Sequence, residues 1–330
     1  MQNVTRILIS GLLICLFQSA SSCDVCGNYM GATPYNNRNS ISFLHRYRIY
    51  NGYRYYQSKS QFFPSSAYRV MHGGGNDTNN ISTTNTHSSK DFESYKIFEL
   101  RVKYFIAKRI EVNTFLPVLN NKTKTNDTYN NITGFGDITL SGGYHLILPK
   151  EENKIKQKLI LGLGLKLPTG FCSYKSHDDI RLPFEMQPGT GSTDILLYAN
   201  YVLMNAHIGL GVNASYKING QNRFHEKVNN STSNFLSLFC KIKMKQVAAY
   251  PSVLTSYEYT KGIALNNMLD KTTELNCLML GPGLDIYYKS FSLNTSWQFT
   301  AIEKISDGNL KSAGRISVGL NYSFAKREKG

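Results

Sequence analysis

The sequence predicts an all-β chain closed into a twelve-stranded antiparallel transmembrane barrel. Three observations carry this. Twelve stretches alternate apolar and polar residues with period two. Long polar loops alternate with short turns between them. Beyond residue 22 no apolar run reaches the roughly 17–25 residues that a membrane-spanning helix takes, and the mean hydropathy is -0.30. A barrel strand escapes any hydropathy window because only every second residue is apolar.

The first stretch, "SISFLHRYRIY" (40–50), has Ser42, Arg46 and Arg48 on its polar face; His45 falls on the apolar phase. Residues 51–92 follow as one large polar and aromatic loop. In "KIFELRVKYFI" (96–106), Phe98, Leu100, Val102, Tyr104 and Ile106 oppose Glu99, Arg101, Lys103 and Phe105. "AKR" turns, and "IEVNTFLPV" (110–118) returns with Glu111 and Asn113 on the polar side. Residues 119–134, "LNNKTKTNDTYNNITG", read as a polar loop, because Asn, Thr and Lys bury no core. "FGDITLSGGYHLIL" carries Asp137, Thr139, Ser141 and His145 on its polar face, and "KLILGLGLKLP" carries Gly162, Gly164 and Lys166.

After a Gly- and Pro-rich loop, "DILLYANYVL" and "HIGLGVNASYKI" form the next pair, the latter with Asn213 and Lys217 facing away from its apolar side. "NGQNRFHEKVNNST" reads as another polar loop. "NFLSLFCKIKM", with Lys241 and Lys243, and "VAAYPSVLTSYEY" make a hairpin. A loop at 261–271 leads to "TELNCLMLGPGLDIYY", then "FSLNTSWQFTA" and finally "GRISVGLNYSF", with Arg315 on its polar face. Twelve spans of roughly 9–11 residues each leave most of the 330 residues to loops. An even strand number with long and short connections in alternation is the layout of an outer-membrane barrel: long extracellular loops, short periplasmic turns, both termini inside. A soluble sandwich has no cause for that asymmetry, and a propeller needs a blade-length repeat that the sequence lacks.

Residues 1–22 read as a cleaved signal peptide, with Arg6 ahead of "ILISGLLICLF" and small residues before Cys23. The remaining divisions are a periplasmic N-terminal segment at 23–39, the barrel at 40–324 and a basic tail at 325–330. The net charge of +15 admits nucleic acid, an anionic surface or an anionic solute. Export, and the lack of any helix-turn-helix or zinc spacing, argue against nucleic acid. The polar faces name the pore-lining candidates: Arg46, Arg48, Arg101, Lys103, Asp137, His145, Lys166, Lys217, Lys241 and Arg315. Cations exceed anions there. Two readings stay open: a polar plug of cross-strand pairs, and an anion-preferring pore, since rings of Arg and Lys select anions.

"LPFEMQPGTGSTD" (182–194) invites a phosphate-loop reading. It lacks the Lys of Gly-x4-Gly-Lys and precedes a strand rather than a helix. It is expected to bend over the mouth, with Gln187, Pro188, Gly189, Thr190, Gly191 and Ser192 as the constriction. Cys23 and Cys26 share a Cys-x-x-Cys spacing. A structural disulfide or tether is the first reading, a soft-metal contact with Met30 the second, and a lipid on Cys23 the third. No other cofactor is implied. A hydrolase needs a Ser beside a His. Ser141 and His145 are two pleats apart, roughly 13–14 Å along a strand, and no residue that would orient the His is evident.

The pieces "GFGDITLSGGYHLI", "GLGLKLPTG" and "LPFEMQPGTGSTDILL", in this order, resemble the outer-membrane barrel family labelled "MetA-pathway of phenol degradation", or simply "transporter". The start "CDVCGNYMG…PYNNRNSISFLHRYR" resembles its Bacteroidetes branch. The resemblance runs from Cys23 to Phe324, with the Gln-Pro-Gly-Thr-Gly-Ser segment its most specific part. It implies the fold and an outer-membrane location; an aromatic solute comes from the label alone. The basic tail after Phe324 departs from the usual terminal aromatic. The reading is thus a channel for small solutes, anionic or aromatic, passive or gated, in contact with membrane lipid. A non-conducting binding or structural module is the alternative and a hydrolase the third. The oligomeric state is open.

Overall fold

The computed structural model describes residues 38–53, 92–125, 128–150, 152–175, 179, 181–270, 273–305 and 310–324. The expected signal peptide, the Cys23–Cys26 segment, most of the 51–92 loop and the basic tail lie outside the described residues. Twelve strands form the wall: β1 (Asn39–Tyr53), β2 (Phe92–Ala107), β3 (Ile110–Thr125), β5 (Thr139–Ile147), β6 (Lys156–Lys166), β7 (Asp194–Met204), β8 (Ile208–Ile218), β10 (Ser231–Cys240), β12 (Val247–Thr260), β15 (Leu275–Tyr288), β16 (Phe291–Ile305) and β17 (Leu310–Phe324). Each pairs antiparallel with its neighbours in sequence order, and β17 closes on β1 from Asn39↔Phe324 to Tyr53↔Leu310. Closure leaves no unpaired edge, the condition for a sheet in lipid. The short segment β11 (Ile242–Met244) prolongs β10 against β12.

Alternation decides which side each residue takes. On β2, Leu100, Tyr104 and Ile106 face out, while Glu99 and Arg101 are buried within. On β6, Leu161, Leu163 and Leu165 face out and Lys158 and Lys166 face in. The outward residues form a continuous apolar surface suited to lipid. His45, on that outer face, stacks on Phe98 with ring centroids 4.4 Å apart, which accounts for an imidazole among apolar neighbours.

Three expected loops contain strands. Residues 119–134 are not a polar loop: β3 runs on to Thr125, and β4 (Thr128–Phe135) pairs back on it from Val118↔Phe135 to Thr125↔Thr128. Composition misled here because a hairpin standing beyond the apolar zone needs only one covered face. Ile132 supplies it by packing on Leu182 and Met186, and Thr and Asn meet water on the other. Likewise β13 (Ile263–Leu265) and β14 (Met268–Asp270) make a hairpin around Asn266 and Asn267, both at positive φ (50° and 64°), as a tight two-residue turn requires. β9 (Glu226–Val228) adds a third strand to it.

Two places in the wall are irregular. The β15–β16 ladder skips Gly281 and Pro282, and the β16–β17 ladder lapses between Gln298↔Arg315 and Ile305↔Leu310. Pro282 has no N–H to give, and a Cβ on Gly281 would lie 1.8 Å from the Trp297 carbonyl oxygen. Gly281→Ala is therefore expected to force β15 and β16 apart and cost about 1–3 kcal/mol. It should read as a lowered midpoint of unfolding in detergent; an unchanged midpoint would refute the close approach.

Candidate functional site

Halfway along the lumen a belt of charge crosses from wall to wall. Register makes it necessary. Arg48 on β1 stands directly opposite Arg315 on β17, and like charges at opposed positions repel. Glu258 answers both from β12, which β15 and β16 separate from β17. Arg48 Nη1 donates to Glu258 Oε2 at 2.7 Å, and Arg315 Nη1 donates to Glu258 Oε1. Arg315 also donates through Nη2 to Gln298 Oε1 (2.6 Å) and to Ser256 Oγ (3.0 Å). Beside this triad, Arg101 Nε donates to Glu99 Oε1, and Arg46 Nη2 lies 3.9 Å from Glu99 Oε2. The guanidinium of Arg315 lies over the ring of Phe235 (5.2 Å), and that of Arg101 over Phe115 (5.3 Å). Four arginines thus gather around Glu99 and Glu258.

The belt divides two chambers. On the long-loop side is a cavity of about 230 Å³. Tyr50, Tyr95, Ile97, Phe115, Leu119, Leu196 and Leu275 make its walls, Arg46 and Arg48 its floor, and Phe184, Glu185 and Pro188 part of its cover. On the short-turn side is a cavity of about 90 Å³ with a hydroxyl- and amide-rich wall: Ser42, Ser292, Asn294, Ser296, Gln298 and Asn321, with Lys103 and Asp285 among them.

The cover is the loop between β6 and β7, and a second charge cluster anchors it. Lys166 Nζ sits 2.9 Å from Asp137 Oδ2 and 2.8 Å from Asp194 Oδ2, with Lys217 Nζ 3.7 Å from the latter. Asp137 accepts from Thr190 N (2.9 Å), Thr190 Oγ1 (2.7 Å) and Gly170 N (2.9 Å), and Ser192 Oγ donates to Asp194 Oδ1 (2.9 Å). Gln187 Nε2 donates to the carbonyls of Leu182 and Tyr174, while its Oε1 accepts from Tyr174 N. Pro188 packs on Gly134, and the Gly189 backbone rests on Gly170 so closely that a Cβ there would lie 2.4 Å from the Gly170 carbonyl carbon. Gly191 has φ 71°. The loop folds inward over the lumen, with Met186 and Gln187 buried. Arg181 grips Glu226 with two bonds (2.6 and 2.9 Å), tying this loop to the one carrying β9.

Of the residues singled out from sequence, Arg46, Arg48, Arg101 and Arg315 meet in the belt, and Asp137, Lys166 and Lys217 in the anchor. Lys103 faces the short-turn chamber. His145 is buried, and its Nε2 lies 2.9 Å from Glu111 Oε2, so it does have an orienting partner. That partner stands on β3, which period-two reading of one strand does not reveal. No hydroxyl or thiol among the described residues is hydrogen-bonded to the other nitrogen. Lys241 does not join the interior clusters: it is half-exposed at the short-turn rim, its N–H donating to the His207 carbonyl at 2.6 Å. Cys23 and Cys26 lie outside the described residues. Glu99 and Glu258 stand on the polar phase of their strands, but the sequence does not show that they meet these arginines. Phe184 and Glu185 belong to the 182–194 loop but fall outside its expected 187–192 constriction, in a stretch without periodicity.

Two outcomes follow from this geometry. Glu258→Gln removes the charge that two buried guanidiniums share, and is expected to cost about 3–5 kcal/mol, measured as the unfolding midpoint in detergent against Glu258→Asp. In the loop, burial pushes the Glu185 carboxyl up to about 8 from 4.5, with Glu226 and Asp270 adding and Arg181 opposing. The docked loop therefore holds a proton that the released loop gives up. Docking is strongest below about pH 4.5, weakens as pH rises, and is fully penalised above about pH 8. Limited proteolysis of the loop should accelerate across that interval, and Glu185→Gln should flatten the dependence.

No family model matches the sequence, and no curated protein matches it. Among solved structures, the chain is similar to the COG4313 outer membrane channel from Pseudomonas putida F1, with a TM-score of 0.63 and 12% identity over 92% of this chain and 100% of that one. It is also similar to the beta domain of the Bordetella autotransporter BrkA, with a TM-score of 0.50 and 9% identity over 88% and 100%. At such identities the likeness speaks to fold alone, and the fold is a twelve-stranded barrel of the outer-membrane type.

Proposed function

We propose that the protein is an outer-membrane channel for small solutes that carry an apolar, typically aromatic, body and an anionic group. Residues 1–22 are then the export signal, the termini and short turns are periplasmic, and the long loops face outward. One observation carries the reading: an apolar chamber stands directly on a belt with more arginine than glutamate. An apolar cavity of about 150 Å³ holds benzene, so about 230 Å³ takes a ring with a short substituent. Burying such a ring's ~150 Å² contributes about 3–4 kcal/mol. The arginines, partly neutralised by Glu99 and Glu258, attract the anionic group without holding it fast. Gln187, Pro188, Gly189, Thr190, Gly191 and Ser192 narrow the entrance. The likeness to a channel and the sequence resemblance to the phenol-degradation barrel family support the same reading.

Planar-bilayer recording tests it. Steady conductance is expected, with a reversal potential biased toward anions, and benzoate should block chloride current at lower concentration than acetate. Heat-modifiable, folded protein that carries no current would overturn the channel in favour of a binding module. A cation-biased potential would overturn the anionic solute.

A further inference from the structure

On the short-turn side of the belt, two lysines point inward that neither the belt nor the loop anchor uses. Lys103 comes from β2 and lines the short-turn chamber, its ammonium 5.8 Å from the centroid of the Phe105 ring. Lys158 comes from β6 and is buried, at 7% exposure. Among the described residues neither is within ion-pair distance of a carboxylate. The Glu111 carboxylate is within electrostatic reach of both, and the lysines are within reach of each other. That carboxylate is already engaged by His145 at 2.9 Å and by Asn113 Nδ2 at 3.3 Å. Two ammoniums therefore face one occupied carboxylate, and the buried His145 Nδ1 beside them has no hydrogen-bond partner. In register next to Glu111, Gly143 and Gly162 present no side chains, and Tyr198 lays its ring across them with its hydroxyl toward Ser141 and Asn113.

A buried ammonium without a counter-ion is costly, and an anion bound between the two lysines would offset that cost. We propose that Lys103 and Lys158 form a second station for small oxyanions (carboxylate, phosphate or sulfate) beyond the arginine belt. The inference rests on the channel reading and assigns a step within it. An anion leaving the arginines needs a next site near enough to draw it on, and weak enough to let it go. Glu111 supplies the weakness by cancelling about half of the local charge.

Inorganic phosphate is the probe, used on the folded full-length protein, on Lys103→Gln/Lys158→Gln, on Lys103→Arg/Lys158→Arg and on Glu111→Gln. Heat-modifiability confirms folding of each. By calorimetry in detergent, the double glutamine variant should bind phosphate about tenfold more weakly than the parent; the double arginine variant should match the parent, and Glu111→Gln should bind more tightly. In bilayers the double glutamine variant should lower the chloride-to-potassium permeability ratio about two- to fivefold. Equal phosphate affinity in the parent and the double glutamine variant overturns the station whether or not the protein conducts. A parent that carries no current but loses phosphate affinity on double substitution overturns the channel and leaves the anion site standing.

Discussion

Closure of the wall is the constraint on which the rest depends. A sheet whose outer face is apolar can keep no charge there and no edge open. Every strand that carries an arginine, lysine or carboxylate must therefore turn it inward, into a space only a few side chains wide. A buried charge is costly unless it is paired, and neighbouring strands do not always offer a partner. Arg48 against Arg315 is the case in point. The answer is Glu258, which reaches across the lumen and so ties together strands that share no ladder. The belt is thus a transverse brace across the middle of the barrel.

The same logic extends to the long-loop end. Lys166, Asp137, Asp194 and Lys217 come from separate wall segments, and their pairing leaves carboxylate oxygens free to accept from Thr190, Gly170 and Ser192. A loop that might have stood clear of the barrel is held over it by bonds to the wall's own charges. It brings Phe184 and Pro188 above the apolar chamber and leaves Glu185 among carboxylates, where ionisation works against docking. Cover and floor thus draw on one resource, inward-facing charge that the membrane excludes from the outside.

The face of each strand was legible because period-two alternation is local. "KIFELRVKYFI" names its own inner residues, and Arg101 and Glu99 are buried as it says. Pairing across the lumen was not legible, because it joins residues such as Arg48 and Glu258 that lie 210 positions apart. Composition misjudged residues 119–134 for a related reason. A hairpin beyond the bilayer draws its covered face from another loop, here Leu182 and Met186 against Ile132. The orienting partner of His145 was hidden in the same way, on a neighbouring strand.

By itself the sequence determined the strand number, the order of turns and loops, and which side chains face in, since each is a property of consecutive residues on a pleated backbone. The tertiary structure decided which charges meet and which bonds hold residues 182–194 over the lumen. Those outcomes depend on the register in which twelve strands close and on distances across the lumen, and no single stretch of chain contains either.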